Sequence, residues 1–300
     1  MDLVITTPAF LDLTFVGLEG LPALGEEKFA GDLVRSPGGG AITAVAAARL
    51  GLRTALVAPL GGDVPGTFVR TELEAEGITV GGQTTPRMPQ TLVLPCGDDR
   101  AMVTVDPGVR TRTGDVEAHL PAGAVACNLE QLHLVPEGTA MYLTCGSDDA
   151  RAYAGRLPEA TRRAAALFVD GPDACLLAGV EGVEAAGAAL AATVRTVIVT
   201  RAAEPAFAWL DGEALPTPER DTGRAVDTTG DVDLLCAAYA WAELRGADAR
   251  SAIEWARLYA ALAVTVPTAT AGAVREEKLL EEGTRRGLVP PPGQAAGSPV

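Results

Sequence analysis

Three aspartates crowd one short turn, Val226-Asp227-Thr228-Thr229-Gly230-Asp231-Val232-Asp233. An apolar helical pattern follows at once through Leu234, Leu235, Ala237, Ala238, Trp241 and Leu244, and Arg245-Gly246 closes it. A Thr-, Gly- and Asp-rich turn at a helix N-terminus aims unpaired backbone N–H groups at one point, where the helix dipole favours an anion. An aspartate fixed beside that point can take a proton from an attacking hydroxyl. The pairing suits phosphoryl transfer to an alcohol. The same eight residues also fit a capped helix start with solvated carboxylates, since Asp and Thr are ordinary N-cap residues.

The elements that must position this turn alternate between strand and helix. Leu3-Val4-Ile5-Thr6 reads as a strand, and Phe10 to Thr14 as another with Asp12 isolated among apolar neighbours. Residues 15–36 read as irregular. Leu33 to Ser36 is a poor strand that stops at Pro37, and Gly38-Gly39-Gly40 then lets backbone or ligand approach a small-residue helix from Ala41 to Leu50. A strand at 54–58, a turn at 61–66, a helix at 68–76 and a strand at 78–80 complete a βαβα order. That order predicts a mostly parallel sheet with helices on both faces. The hairpin pattern of 91–95 and 101–105 breaks the alternation. With residues 13–36 it predicts a small β flap at the sheet's edge, its own edge blunted by Asp98, Asp99 and Arg100. Further on, 131–135 around His133 reads as strand-like, and 139–144 and the run leading to Phe168 as strands. The β-branched segment 195–200 predicts a central, buried strand, and 206–212 a hairpin. Helices are expected at 251–266 and 276–286, and a disordered tail from 290 to 300. One domain over 1–289 accommodates the whole pattern.

Composition narrows the partners. The net charge of −15 argues against nucleic acid and anionic membrane, and no apolar run reaches the ~20 residues of a membrane span. Lys28 and Lys278 are the only lysines, so arginines and backbone amides must make any phosphate site electropositive. The five cysteines show no metal or disulfide spacing and suggest free thiols in a cytoplasmic protein. Gly38-x-Gly40 is a poor dinucleotide fingerprint, because Thr43 stands where its third glycine belongs.

Four segments, in order, resemble the ribokinase-like (PfkB) carbohydrate kinases. They are Ser36 to Gly51, Pro59 to Gly66 with Glu76-Gly77-Ile78, Val226 to Asp233, and Ala256 to Pro267. The resemblance implies a three-layer α/β/α domain with lid insertions at about 13–36 and 90–107. It implies transfer of the γ-phosphate of ATP, with Mg²⁺, to a hydroxyl of a sugar or nucleoside. By resemblance Asp233 is the base, and Gly230, Asp231 and Val232 form the anion hole. Asp12, Gly38, Gly39 and Thr43 bind substrate, and Thr200, Thr228 and Arg257 bind nucleotide. Asp170 and Asp173 act indirectly on the metal, and the lid is a candidate homodimer contact.

The departures from the family pattern are as informative. Asp231 and Val232 replace the signature's Ala and Gly, and Val adopts φ > 0 only with strain. If Asp231 points inward, two like charges ~4 Å apart at an effective dielectric of ~20 repel by ~4 kcal/mol, roughly a thousandfold in rate. Thr43 and Arg257 stand where the family has asparagines. Ala202 and Pro205 fall in a loop where it has glycine-rich sequence. These changes predict either a kinase with an altered nucleotide side or a catalytically impaired pseudokinase that binds a sugar or nucleotide.

Overall fold

The structure, a computed structural model, describes residues 1–96, 99–201, 204–217, 229–263, 266 and 268–293. The chain opens with β1 (Leu3–Ile5), β2 (Ala9–Val16), β3 (Asp32–Gly39) and α1 (Gly40–Arg49). Next come β4 (Thr54–Val57), β5 (Leu60–Gly61), α2 (Val64–Ala75), β6 (Thr79–Gly81) and β7 (Thr84–Thr85). The hairpin β8 (Gln90–Cys96) and β9 (Asp99–Val105) precedes α3 (Thr113–Glu117), β10 (Ala124–Cys127), β11 (Ala140–Cys145) and α4 (Ser147–Ala152). Then follow β12 (Ala166–Asp170), α5 (Gly171–Ala178), α6 (Val183–Ala191), β13 (Thr196–Arg201), β14 (Glu204–Leu210) and β15 (Glu213–Ala214). The chain finishes with α7 (Asp231–Leu244), α8 (Ala249–Ala263), α9 (Ala269–Gly272) and α10 (Glu276–Arg285).

Among the described residues the main sheet has nine strands in the order β15-β14-β13-β12-β11-β10-β1-β4-β6. Seven of these run parallel, and β14 and β15 add an antiparallel edge. The inner strands β1, β4, β10 and β12 are short, mostly aliphatic and buried on both faces up to Asp170 at the end of β12, as a sheet covered by helices requires. Alternate residues serve opposite layers. Leu3, Ile5 and Phe168 join the core under α1, α7 and α8, and Val4, Leu167 and Val169 join the one under α5 and α6. Few aromatics suffice because they cluster: Trp241 meets Trp255 edge-on at 5.5 Å, and Tyr142 meets Tyr239 at 5.8 Å. The expected α/β/α sandwich is therefore present.

The lid is a second sheet, β3-β2-β8-β9. It corrects the expectation that residues 15–36 are irregular and that a strand stops at Pro37. β2 runs on to Val16, and β3 continues through Pro37 to Gly39, paired from Val16↔Asp32 to Ala9↔Gly39. Proline is tolerated there because β3 is an edge strand, where one side of the backbone needs no partner. Three further corrections concern the main sheet. Residues 129–134 form a 3₁₀ turn instead of a strand, since regularly spaced leucines fit either period. The strand before it, β10, is Ala124–Cys127, whose small residues carry little strand signal. The β-branched strand β13 is buried throughout most of its length but lies third from the sheet's edge rather than at its centre. The proposed tail begins within the described residues, at 290–293, and its remainder, 294–300, lies outside them.

Candidate active site

Two helix N-termini converge beside the ends of the parallel strands. α1 begins at Gly40 after Gly39, which takes φ 57°, and α7 begins at Asp231 after Gly230, which takes φ 74°. A side chain on Gly230 would press within 2.7 Å of Ile42 Cδ1 and 2.8 Å of Ala269 Cβ. Glycine at 230 thus supplies the left-handed turn and lets α7 start against α1. One turn into each helix the two meet chemically: Thr43 Oγ1 donates to Asp233 Oδ1 at 2.8 Å. Burial pushes the Asp233 carboxyl up to about 7, the Thr43 hydrogen bond pulls it down, and the charges of Asp231 and Asp12 push it up again. A carboxylate poised near neutrality beside a helix N-terminus is suited to accept a hydroxyl proton.

The lid closes the other side of this point. Asp12 on β2 is buried, and its carboxylate packs against Gly38 on β3 so closely that a Cβ there would overlap it. Gly38→Ala is therefore expected to displace Asp12. Substrate KM should rise at least tenfold and the melting temperature should fall, consistent with ~1–3 kcal/mol of overpacking. Steady-state kinetics and a thermal melt check both. Thr43, matched by resemblance to a substrate-binding position, donates its hydroxyl to Asp233, the expected base. Thr43→Val removes a bond to the charged form worth ~1.5–3 kcal/mol, so the base's midpoint should climb by about 1–2 pH units. A pH–rate profile should then show activity lost at pH 7 and recovered near pH 9.

Two features of this turn that the sequence left open are visible in the structure. Val232 lies within α7, and no non-glycine residue of that turn has positive φ among the described residues, so its backbone is unstrained. The amides of Asp231, Val232 and Asp233 are the first three of the helix and lack helical acceptors. Asp231 does not turn to solvent. It is 7% exposed, and its Oδ1 accepts from the Val232 amide at 2.8 Å. Burial pushes the Asp231 carboxyl up to about 6, while Arg100 on β9, Thr200 at the end of β13 and the Val232 amide hold it down. Arg100, expected only as an edge-blunting charge, is thus a neighbour of the site. An arginine in a lid strand of a lysine-poor chain was its one visible signal.

Asp170 ends β12 and caps α5, its Oδ1 accepting from the Asp173 amide at 2.8 Å. Asp173 is buried and accepts from Ser147 Oγ at 3.1 Å; burial, then Asp170's charge, pushes it up to about 6. Among the described residues no cluster of three or more metal-ligating side chains is present. Asp170 and Asp173 offer carboxylate oxygens that could act on a divalent cation indirectly, through water. Hard oxygen donors of this kind suit Mg²⁺. Thr200 is buried beside Asp231, and Arg257 is buried on α8, within electrostatic reach of Arg201. Thr228 lies outside the described residues, as does Ala202.

A sandwich of this topology, with a buried aspartate in the first turn of a helix and a β lid bearing a second buried carboxylate, is the architecture of the carbohydrate kinase class. The sequence pattern described as pfkB family carbohydrate kinase matches residues 14–120 and 136–276, and the chain belongs to that family. Its fold is ribokinase-like. Ribokinase from Thermotoga maritima superposes with a TM-score of 0.77 at 19% identity, covering 94% of this chain and 98% of that one. Ribokinase from Arabidopsis thaliana, complexed with ribose and ATP, gives 0.75 at 23%, covering 93% and 97%. The nucleoside kinase of Methanocaldococcus jannaschii gives 0.73 at 16%, covering 95% and 99%. No curated protein matches the chain in sequence. Among the described residues no single helix is long and apolar enough to cross a membrane.

Proposed function

We propose that this chain transfers the γ-phosphate of a nucleoside triphosphate to a hydroxyl of a sugar or nucleoside, with Asp233 as general base. The observation that carries this is the Thr43–Asp233 hydrogen bond at the junction of two helix N-termini, with Asp12 within electrostatic reach. Asp12, Gly38 and Gly39 grip the acceptor's hydroxyls. Asp233, held by Thr43, takes the proton of the attacking hydroxyl as the new O–P bond forms. The amides of Asp231, Val232 and Asp233 steady the charge that develops on the transferring group. ATP supplies the phosphoryl group when bound, and Mg²⁺ neutralises its phosphates; Asp170 and Asp173 would orient that metal through water. The free, buried thiols of Cys127, Cys145 and Cys236 suit a reducing, cytoplasmic setting.

The test is release of ADP from Mg-ATP in the presence of a panel of pentoses, hexoses and nucleosides. Turnover on one class of acceptor is expected, and no turnover on a broad panel counts against the reading. One observation favours a second reading: the Asp231 carboxylate already occupies the Val232 amide. On that reading the chain binds a sugar or nucleotide without transferring phosphate, and calorimetry would show binding without turnover.

The lid's β9 exposes Met102, Val103 and Val105, the last at 71%, and this apolar strand suits pairing with a second copy. Light scattering after size exclusion should give a dimer for the native chain and a monomer for Val103→Asp. A native monomer at micromolar concentration excludes the lid dimer.

A further inference from the structure

Arg257 lies on the buried face of α8 and is 6% exposed. Its Nη1 donates to the Pro216 carbonyl at 3.0 Å and to Glu254 Oε1 at 3.1 Å. Its Nε and Nη2 are buried and find no acceptor among the described residues. Those two groups form one edge of the planar guanidinium, the side-on fork that grips two acceptors at once. Arginine cannot relieve the shortage by losing its proton. Both acceptors in reach among the described residues, the Pro216 carbonyl and Glu254, are taken by Nη1. Burial, with Arg201 opposing Glu254, holds Arg257 below the usual arginine range. Arg201 itself is engaged with the Pro205 carbonyl and stacks over Phe207 at 3.8 Å. A buried arginine edge with no protein acceptor among the described residues calls for an external one.

The position of the fork limits what fills it. Arg201 ends β13, Pro216 follows β15, and α8 packs on β14 and α7. The fork thus lies beside β13–β15, on the side that the proposed function gives to the nucleotide, while the amides proposed to meet its phosphates belong to the start of α7. A base edge is the group to be placed there. The Hoogsteen edge of adenine pairs one acceptor, N7, with the N6 amino donor, which would face N–H with N–H. The same edge of guanine offers O6 and N7, both acceptors, and arginine meets it bidentately. We propose that the Arg257 fork makes the phosphoryl-donor site select a guanine nucleotide over an adenine nucleotide. This rests on the reading of the chain as a nucleotide-dependent kinase.

The experiment is calorimetric titration of the full chain, in magnesium, with GTP, ATP, guanosine and inorganic phosphate, repeated on Arg257→Gln. GTP should bind about 5- to 150-fold more tightly than ATP, the span of one bidentate base contact. Arg257→Gln should erase most of that ratio, with GTP affinity falling far more than ATP affinity. Guanosine should compete with GTP where phosphate does not. ATP binding as tightly as GTP overturns the inference and leaves the proposed kinase intact, whereas no nucleotide binding overturns both. Phosphate binding that Arg257→Gln abolishes, with no guanosine binding, marks an anion site and also overturns it. Equal loss of GTP and ATP in the variant does the same. If the variant fails a thermal-melt check, the native GTP to ATP ratio and the guanosine competition decide.

Discussion

Asp233→Asn is expected to lower kcat by about 10²–10⁴-fold, the usual contribution of a positioned general base. Asparagine is isosteric and can still meet Thr43 Oγ1, so the α1–α7 junction should survive. Nucleotide affinity by calorimetry should change less than tenfold. That split, kcat lost and binding kept, is the signature of a group acting on the proton alone. A variant that retains more than a tenth of native kcat would remove Asp233 from the role.

The pH profile carries the same assignment. A base works deprotonated, and Asp233 is pushed up to about 7. Native kcat/KM should therefore fall as pH drops through about 7, and the residual rate of Asp233→Asn should be flat there. The linkage to stability has the opposite sense. A carboxyl whose folded pKa is raised contributes stability that is fully present below its unfolded value, near 4, and lost as pH rises through about 7. The form proposed to do chemistry is the form the fold least favours. Asp233→Asn should accordingly melt above the native chain at pH 8 and level with it near pH 4.

What the sequence shows of this molecule follows from which signals are local. The helix of Asp231–Leu244 is readable because its turn, apolar stripe and closing glycine fall within twenty residues. The lid hairpin is readable from its alternation, and its removal from the main sheet from the break in βα order. β3 was obscured because Pro37 and two glycines disfavour a strand in isolation, and only pairing with β2 along its length overrides that. Asp233 could be assigned a role from its motif, but its holder could not. Thr43 is 190 residues away, and nothing in either segment announces the bond. The same holds for Arg100, whose relevance to Asp231 exists only once the lid is laid over the turn. The backbone at Val232 was open in the sequence for a different reason. A family glycine suggested positive φ, whereas here Gly230 alone supplies the left-handed residue and the helix begins one residue later.

The largest gain should come from Asp231. Its carboxylate is buried at the start of α7 and takes up the Val232 amide that a transferring phosphoryl group would use. Full repulsion of ~4 kcal/mol would correspond to about a thousandfold. Two features reduce it: Arg100 offsets part of the charge, and a carboxyl pushed up to about 6 is largely neutral in mild acid. Asp231→Asn should thus raise kcat/KM for the nucleotide by about 10- to 100-fold at pH 8, and by no more than about threefold at pH 5.5. The acid limb should also move to lower pH, since Asp231's charge is one of the causes that raise Asp233. Asparagine removes the charge but keeps an oxygen that can hold the Val232 amide; Asp231→Ala removes both. If alanine exceeds asparagine, the occupied amide is the larger obstacle, and if they match, the charge is. A loss of activity in both variants would reverse the argument. Asp231 would then be a working part of the site, and the Arg100 charge on the lid would be what it is built to meet.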